Sequence, residues 1–291
     1  MLLLFKKTTF AKVAKGFHSL PKMQSITEKN YRKLSMKIAL SGFSFCVLDL
    51  LSGHVLVVKE VDFSSYENPN NTEECYKIAF SLHSELTDKY DEVVVLHNNN
   101  LSAFVPVALF DENFMGSYLQ YNVKVFESDF FAYDTLGSYL INNVYVPYVN
   151  INNFLIDAFS SFEYKHHLSI LVEKLLDLSK NDDDRQMFVH FDQKSFQIIV
   201  VQNQKLLFYN SFDFTTKEDF AYYLLFTVEQ LGLNPEFFTL KLLGHIAEEG
   251  ELFQMAYTYV RNVSLLDVSR LTAQNGLSSS DNLTHYILVQ A

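Results

Sequence analysis

The sequence predicts an α/β protein of two similarly built halves. Each half is a mixed sheet in which three antiparallel strands are extended by parallel ones and flanked by helices. Three observations predict this. One order of elements (strand, strand, strand, helix, strand) occurs over 36–96 and again over 186–243, although the residues themselves do not repeat. The strands at 196–201 and 206–210 are nearly continuous apolar runs, the pattern of strands covered on both faces. Each helix then leads into a short apolar-rich segment, 93–96 or 238–243, as expected where a helix returns the chain to a covered sheet.

Taken in order, 36–40 and 43–49 read as strands around a tight turn at Ser41 and Gly42, and 55–61 as a third after Ser52 and Gly53. A polar loop over 64–71 precedes a helix capped by Thr72, with Cys75, Ile78, Ala79, Leu82 and Leu86 on one face. Asp111 caps a helix carrying Phe114, Met115, Tyr118 and Leu119, while 123–133 and 143–148 are extended, being rich in aromatic and β-branched residues. Helices follow over 151–160 and 165–179, and the polar run 181–184 breaks the pattern. The second half has strands over 187–192, 196–201 and 206–210, with turns at 192–195 and 202–204. Thr215 and Glu218 have capping-box spacing at the start of a helix over 218–231. A helix over 249–260 buries Leu252, Phe253, Ala256 and Tyr257; 267–282 is polar and serine-rich with no assigned structure, and 286–289 returns as an edge strand. The expected organisation is an extension 1–35, a first lobe 36–150, a second lobe 151–265 and a polar tail 266–291.

Composition bounds the function. With 48% hydrophobic and 20% charged residues, the 291-residue chain is a folded globular protein. A net charge of −11 argues against a nucleic-acid surface, which needs clustered Lys and Arg. Cys46 and Cys75 sit in apolar patterns and suit reduced core thiols in a cytoplasm; they make neither a zinc site nor a disulfide framework. No run reaches the ~18 consecutive apolar residues of a transmembrane helix. The first 22 residues hold five lysines and no acid. They lack arginine and a long apolar run, so a start at Met23 or Met36 accounts for them better than a targeting segment.

Two such halves in one chain resemble the actin-like superfamily, of ribonuclease-H-like fold, which contains sugar kinases, heat-shock ATPases and actin. A closer resemblance is to a bacterial family of unknown function, family 3822, carried by GFSFCVLD (42–49), VPVALFDE (105–112) and NSFDFTTKEDFAYYLLFTVEQLGL (210–233) and spanning about 36–263. The superfamily resemblance implies two lobes facing each other across an ATP site. In such ATPases the first hairpin turn of each lobe carries an Asp for Mg²⁺ and water, with Gly and Ser or Thr for phosphate. A Gly-Gly turn makes room for adenine.

Carried onto this chain, the resemblance makes Asp192 the candidate catalytic residue. Ser41, Gly42, Ser44, Lys194, Ser195 and Gly244 become the candidate nucleotide contacts, and no metal ligand is assigned. Each loop departs from the pattern. The first hairpin has no carboxylate, since Asp49 lies at the far end of its strand; the second has no glycine; the third pairs Gly244 with the bulky His245. Each also has an ordinary reading, as a two-residue hairpin turn, an Asp-initiated turn and a strand-to-helix turn. Three such departures argue against phosphoryl transfer, which depends on positioned Mg²⁺ and dense N–H donors.

The expected function is therefore a non-catalytic or weakly nucleotide-binding scaffold that acts through a protein partner or as a homo-oligomer, with ATP and Mg²⁺ as cofactors only where the degenerate site functions. The alternative is an active ATPase or small-molecule kinase with divergent loops, in which Asp192 and the Ser41–Gly42 turn face each other across a cleft holding a second carboxylate. A nuclease ranks last, for want of clustered carboxylates. Glu163, His166 and His167 have metal-ligand spacing but read as a solvated helix end. The aromatic density over 208–226 reads as core packing, with a partner surface as the other reading.

Overall fold

A computed structural model of the chain describes residues 29–121, 123–126 and 128–291. The lysine-rich segment 1–22 lies outside the described residues.

Alternation builds the first sheet. In β1 (Arg32–Ala39), Leu34, Met36 and Ile38 alternate with Lys33, Ser35 and Lys37, so one face of the strand is apolar and the other polar. β1, β2 (Gly42–Asp49) and β3 (Val55–Asp62) form an antiparallel meander, and α1 (Thr72–Leu82) leads into β4 (Glu92–His97), parallel to β1. The apolar face packs on α1 through Leu34, Met36, Phe43 and Phe45 against Tyr76, Ala79 and Phe80. β5 (Ser102–Pro106), α2 (Met115–Leu119), β6 (Ala132–Leu136) and β7 (Ile141–Tyr145) then add a small antiparallel sheet of order β5-β7-β6. α3 (Val149–Phe159) returns over the first sheet. β8 (Glu163–His166) pairs with β4, giving the order β3-β2-β1-β4-β8.

After α4 (His167–Leu178) the order repeats. β9 (Gln186–Phe191), β10 (Ser195–Gln202) and β11 (Lys205–Asp213) form the meander, followed by α5 (Lys217–Gln230), β12 (Thr239–Gly244), α6 (Glu251–Tyr259) and β13 (Asn262–Leu265). The second sheet runs β11-β10-β9-β12-β13, the same sequence of pairings as the first. α5 and α6 cover one face through Phe220, Leu224, Phe253 and Ala256. The inward faces share another core, in which α4 places Leu168, Leu171 and Leu175 against Val94 and Leu96 of one sheet and Phe188, Ile199 and Leu243 of the other. α7 (Ser269–Asn275), α8 (Ser279–Thr284) and α9 (Tyr286–Val289) complete it with Leu283, Tyr286 and Ile287.

Several expectations are corrected. β1 starts at Arg32, before the expected boundary at 36. β8 pairs with β4, and Ile151 and Leu155 lie in the α1 core. The cap of α1 is Asn71, whose Oδ1 accepts from the Glu74 N–H, not Thr72. The capping box of α5 is Thr216 with Asp219, whose carboxylate accepts from the N–H groups of both Thr215 and Thr216. Residues 111–119 hold a 3₁₀ turn before the short α2, and among the described residues of the segment 123–133, expected to be extended, only the last two lie in a strand, β6. There the Asp129 carboxylate takes the Phe126 N–H and makes a turn. The tail 266–291 is helical, and 286–289 is a helix rather than an edge strand. Its polar residues serve as caps: Ser278 accepts from the Asp281 N–H, and buried Asn275 and Asn282 bond each other. Among the described residues no helix is long and apolar enough to cross a membrane.

Candidate functional site

The hairpin ends of the two sheets meet, and their polar residues meet there in register. On the first sheet Lys37 stands opposite Ser44 and Ser44 opposite Glu60, a row across β1, β2 and β3 on the polar face that alternation creates. The second sheet brings Asp192 from the end of β9 and His245 from the end of β12, strands that pair in parallel so that both side chains emerge at one edge. The α8–α9 junction adds His285.

Lys37 Nζ donates to Asp192 Oδ1 at 3.0 Å, with the two side chains only 12% and 13% exposed. Burial alone would raise the Asp192 pKa, but the Lys37 ammonium, with His190 and His167 behind it, holds the carboxyl well below the usual carboxylate range. His190, buried on β9, shares a 2.7 Å hydrogen bond with Gln197 and lies 3.9 Å from Asp192. Burial lowers its pKa. His167 opens α4, and burial pushes its imidazole down to about 3. Its Nδ1 has no hydrogen-bond partner among the described residues. The start of α4 is held by buried Asp134, which accepts from the His166 N–H at 2.7 Å, Ser169 Oγ at 2.7 Å and the Tyr145 hydroxyl at 3.2 Å. Across the row, Glu60 Oε1 lies 3.5 Å from His245 Nε2 and 3.8 Å from His285 Nδ1.

The residues expected at a nucleotide site fall into two groups. Asp192, Ser44 and Gly244 line the seam. The Ser44 hydroxyl is buried there without a hydrogen-bond partner among the described residues. Ser41 and Lys194 stay on exposed hairpin tips, where the Ser41 carbonyl accepts from the Phe63 N–H and the Ser195 carbonyl from the Asp192 N–H. The Ser64 N–H chiefly, with the Lys194 ammonium assisting, lowers the pKa of Asp62, which pairs with Gly42. The hairpin turn itself is Leu40–Ser41, one residue earlier than expected, since Ala39 pairs with Gly42.

Both glycines answer to strand contacts. A Cβ on Gly42 would stand 2.2 Å from the Val61 carbonyl oxygen. On Gly244, at φ +91°, it would stand 2.2 Å from the Phe191 carbonyl oxygen. The Asp192 carboxylate is thus held by an ammonium, and a Cβ on either glycine would meet the backbone of a neighbouring strand. Glu60, the carboxylate on the first-sheet row, faces His245 and His285.

Lys37, Glu60, His167, His190 and His285 are not among the residues singled out for the nucleotide site. Two carried a signal, Lys37 through the alternation of β1 and His190 as the one polar residue inside 187–191. Glu163, His166 and His167 do not form a metal site or a solvated helix end: Glu163 is exposed on β8, while both histidines are buried. Among the described residues no group of three or more His, Cys, Asp or Glu could hold a metal ion.

With this architecture the chain has an actin-like ATPase fold. It is similar to a Bacteroides thetaiotaomicron VPI-5482 protein with actin-like ATPase fold and unknown function, at TM-score 0.75 and 21% identity, covering 93% of this chain and 100% of that one. It is also similar to a chain of a PilM–PilN type IV pilus biogenesis complex, at TM-score 0.56 and 12% identity, covering 88% of this chain and 96% of that one. Both likenesses concern the fold. A search of curated proteins finds no match. The family described as Protein of unknown function (DUF3822) matches residues 21–263, and the chain belongs to it.

Proposed function

We propose that this protein is a scaffold of actin-like fold that works through protein contacts, as a partner subunit or a homo-oligomer in a bacterial cytoplasm, and does not transfer phosphate. The observation that carries the reading is the buried Lys37–Asp192 pair. It sets a cation of the chain's own against Asp192, the carboxylate that the superfamily resemblance would give to Mg²⁺. The 3.0 Å hydrogen bond makes that cation a direct competitor of a metal ion for the same oxygen. In this reading the first lobe extends through β8, the second runs from β9 to β13, and α4 with the C-terminal helices joins them. The PilM–PilN complex gives the reading support from outside the chain, since there a protein of similar fold is found with a protein partner.

Calorimetric titration with ATP and ADP, with and without Mg²⁺, tests it. No binding heat is expected at up to millimolar nucleotide. Tight Mg²⁺-dependent ATP binding that Asp192→Asn abolishes would overturn it in favour of an ATPase or kinase whose Lys37 swings away from Asp192.

A further inference from the structure

The last two helices form a strap laid into the seam. α9 packs against β1, β2 and α4, and α8 against β12. Leu283, Tyr286, Ile287 and Leu288 are buried. The end of the strap is tied to the first sheet, since Lys33 Nζ donates to the Ala291 carbonyl oxygen at 2.8 Å and the Cys46 thiol to that of Leu288 at 3.7 Å. His285 is the joint of the strap, closing α8 and preceding α9. Its side chain is 11% exposed, with Nδ1 3.8 Å from Glu60.

We propose that α8 and α9 are a proton-released strap, docked while His285 is neutral and loosened when it is charged. The charged and titratable groups around His285 are Glu60 from β3, Lys37 from β1, His245 from the turn after β12, and Asp281 from α8 itself. β2 presents Ser44 and Cys46 on this face. α4 contributes Asp177 on the side of Tyr286. A proton added to His285 places a charge in a nearly enclosed position beside Lys37. The Glu60 carboxylate that faces it is beyond hydrogen-bond distance and shared with His245.

The balance has a definite sign. Burial first, then Lys37 and His245, outweigh Glu60 and Asp281 and lower the His285 pKa in the docked form. The undocked strap therefore binds the proton more tightly. Docking is strongest above the ordinary imidazole value of about 6.5 and weakens as the pH falls below it. Release would uncover the Lys33–Ser35–Lys37 side of β1 and the Cys46 side of β2. This device does not depend on the scaffold reading.

Hydrogen exchange of the full chain between about pH 8 and about 5.5, corrected for intrinsic rates, tests it. Protection over 279–289 should fall below about pH 6.5 by up to tenfold per pH unit, the slope for one proton taken up in a local opening of the strap. In His285→Gln the slope at the strap should vanish, and in His285→Lys protection there should be low at every pH. An unchanged slope in His285→Gln would overturn the proposal. Should the variants misfold, the imidazole of His285 can be titrated by NMR in the wild-type chain. A value below that of free histidine supports the strap, and one at or above it sinks the idea.

Discussion

The two sheets follow one plan and differ where they meet. Both have a three-strand meander, a helix, and two parallel strands in the same spatial order. At the meeting edge the first presents Lys37, Ser44 and Glu60, and the second presents Asp192 and His245. The groups pair across the edge: an ammonium on the first sheet meets a carboxylate of the second, and a carboxylate on the first lies beside an imidazole of the second. A cleft built to grip a polyanionic ligand would need donors on both sides. Under the proposed function, the two sides hold each other instead. Repetition of a fold thus carries the scaffold over, while the chemistry of its meeting edge is set by a few side chains that need not repeat.

The largest test of this closure is pH. His97, His166, His167 and His190 are all buried, and burial lowers the pKa of each, for His97 and His167 to about 3. Their folded-state values lie below the unfolded value of about 6.5, so the unfolded chain takes up the protons. Stability should be full above about 6.5 and be lost as the pH falls toward about 3, by about 1.4 kcal/mol per pH unit for each histidine titrating. Urea denaturation at a series of pH values measures it. A flat profile between about pH 7 and 5 would contradict the buried, neutral assignment.

Next in size is the ion pair. Asp192→Ala leaves Lys37 charged in a largely enclosed position, and should destabilise by about 2–4 kcal/mol. Replacing both partners, with Lys37→Met and Asp192→Leu, should recover most of that loss, because the desolvation of two charges is removed together. Thermal denaturation of the single and double variants decides; equal losses in both would mean the pair is not what holds the edges together.

A smaller effect is expected at Gly244. An alanine Cβ there meets the Phe191 carbonyl oxygen at 2.2 Å, so Gly244→Ala should destabilise by about 1–3 kcal/mol. A glycine held for nucleotide contact alone would tolerate the change with little loss of stability. The smallest effect belongs to the outer helices. Tyr222 and Phe226 stack on the exposed side of α5, so Tyr222→Ala should change stability by no more than about 0.5 kcal/mol. A large loss would show that α5 has no free face to offer a partner.

Much of the architecture was legible because it rests on local periodicity. The alternation in β1, the apolar run of β10 and the apolar face of α4 state their own secondary structure and burial. Helix caps were legible only to within one residue, as at Asn71 and Thr216, because neighbouring polar residues compete for the same N–H groups. The C-terminal helices were hidden by composition. Ser278, Asn275 and Asn282 look like a polar tail until their hydrogen bonds are seen to be satisfied within it. The seam was the least legible part. Lys37 and Asp192 are 155 residues apart, and no local pattern in either segment refers to the other.

By itself the sequence determined the α/β class, the doubled order of elements and the placement of Asp192 at a hairpin turn. Those properties depend on neighbours along the chain: periods of two and 3.6 residues, turn residues and apolar runs. Only the tertiary structure decided that Asp192 is held by Lys37, that Glu60 faces two histidines, and that the last helices lie in the seam. Each of these depends on which side chains the packing of two sheets brings within a few ångströms. That relation forms only when distant segments meet.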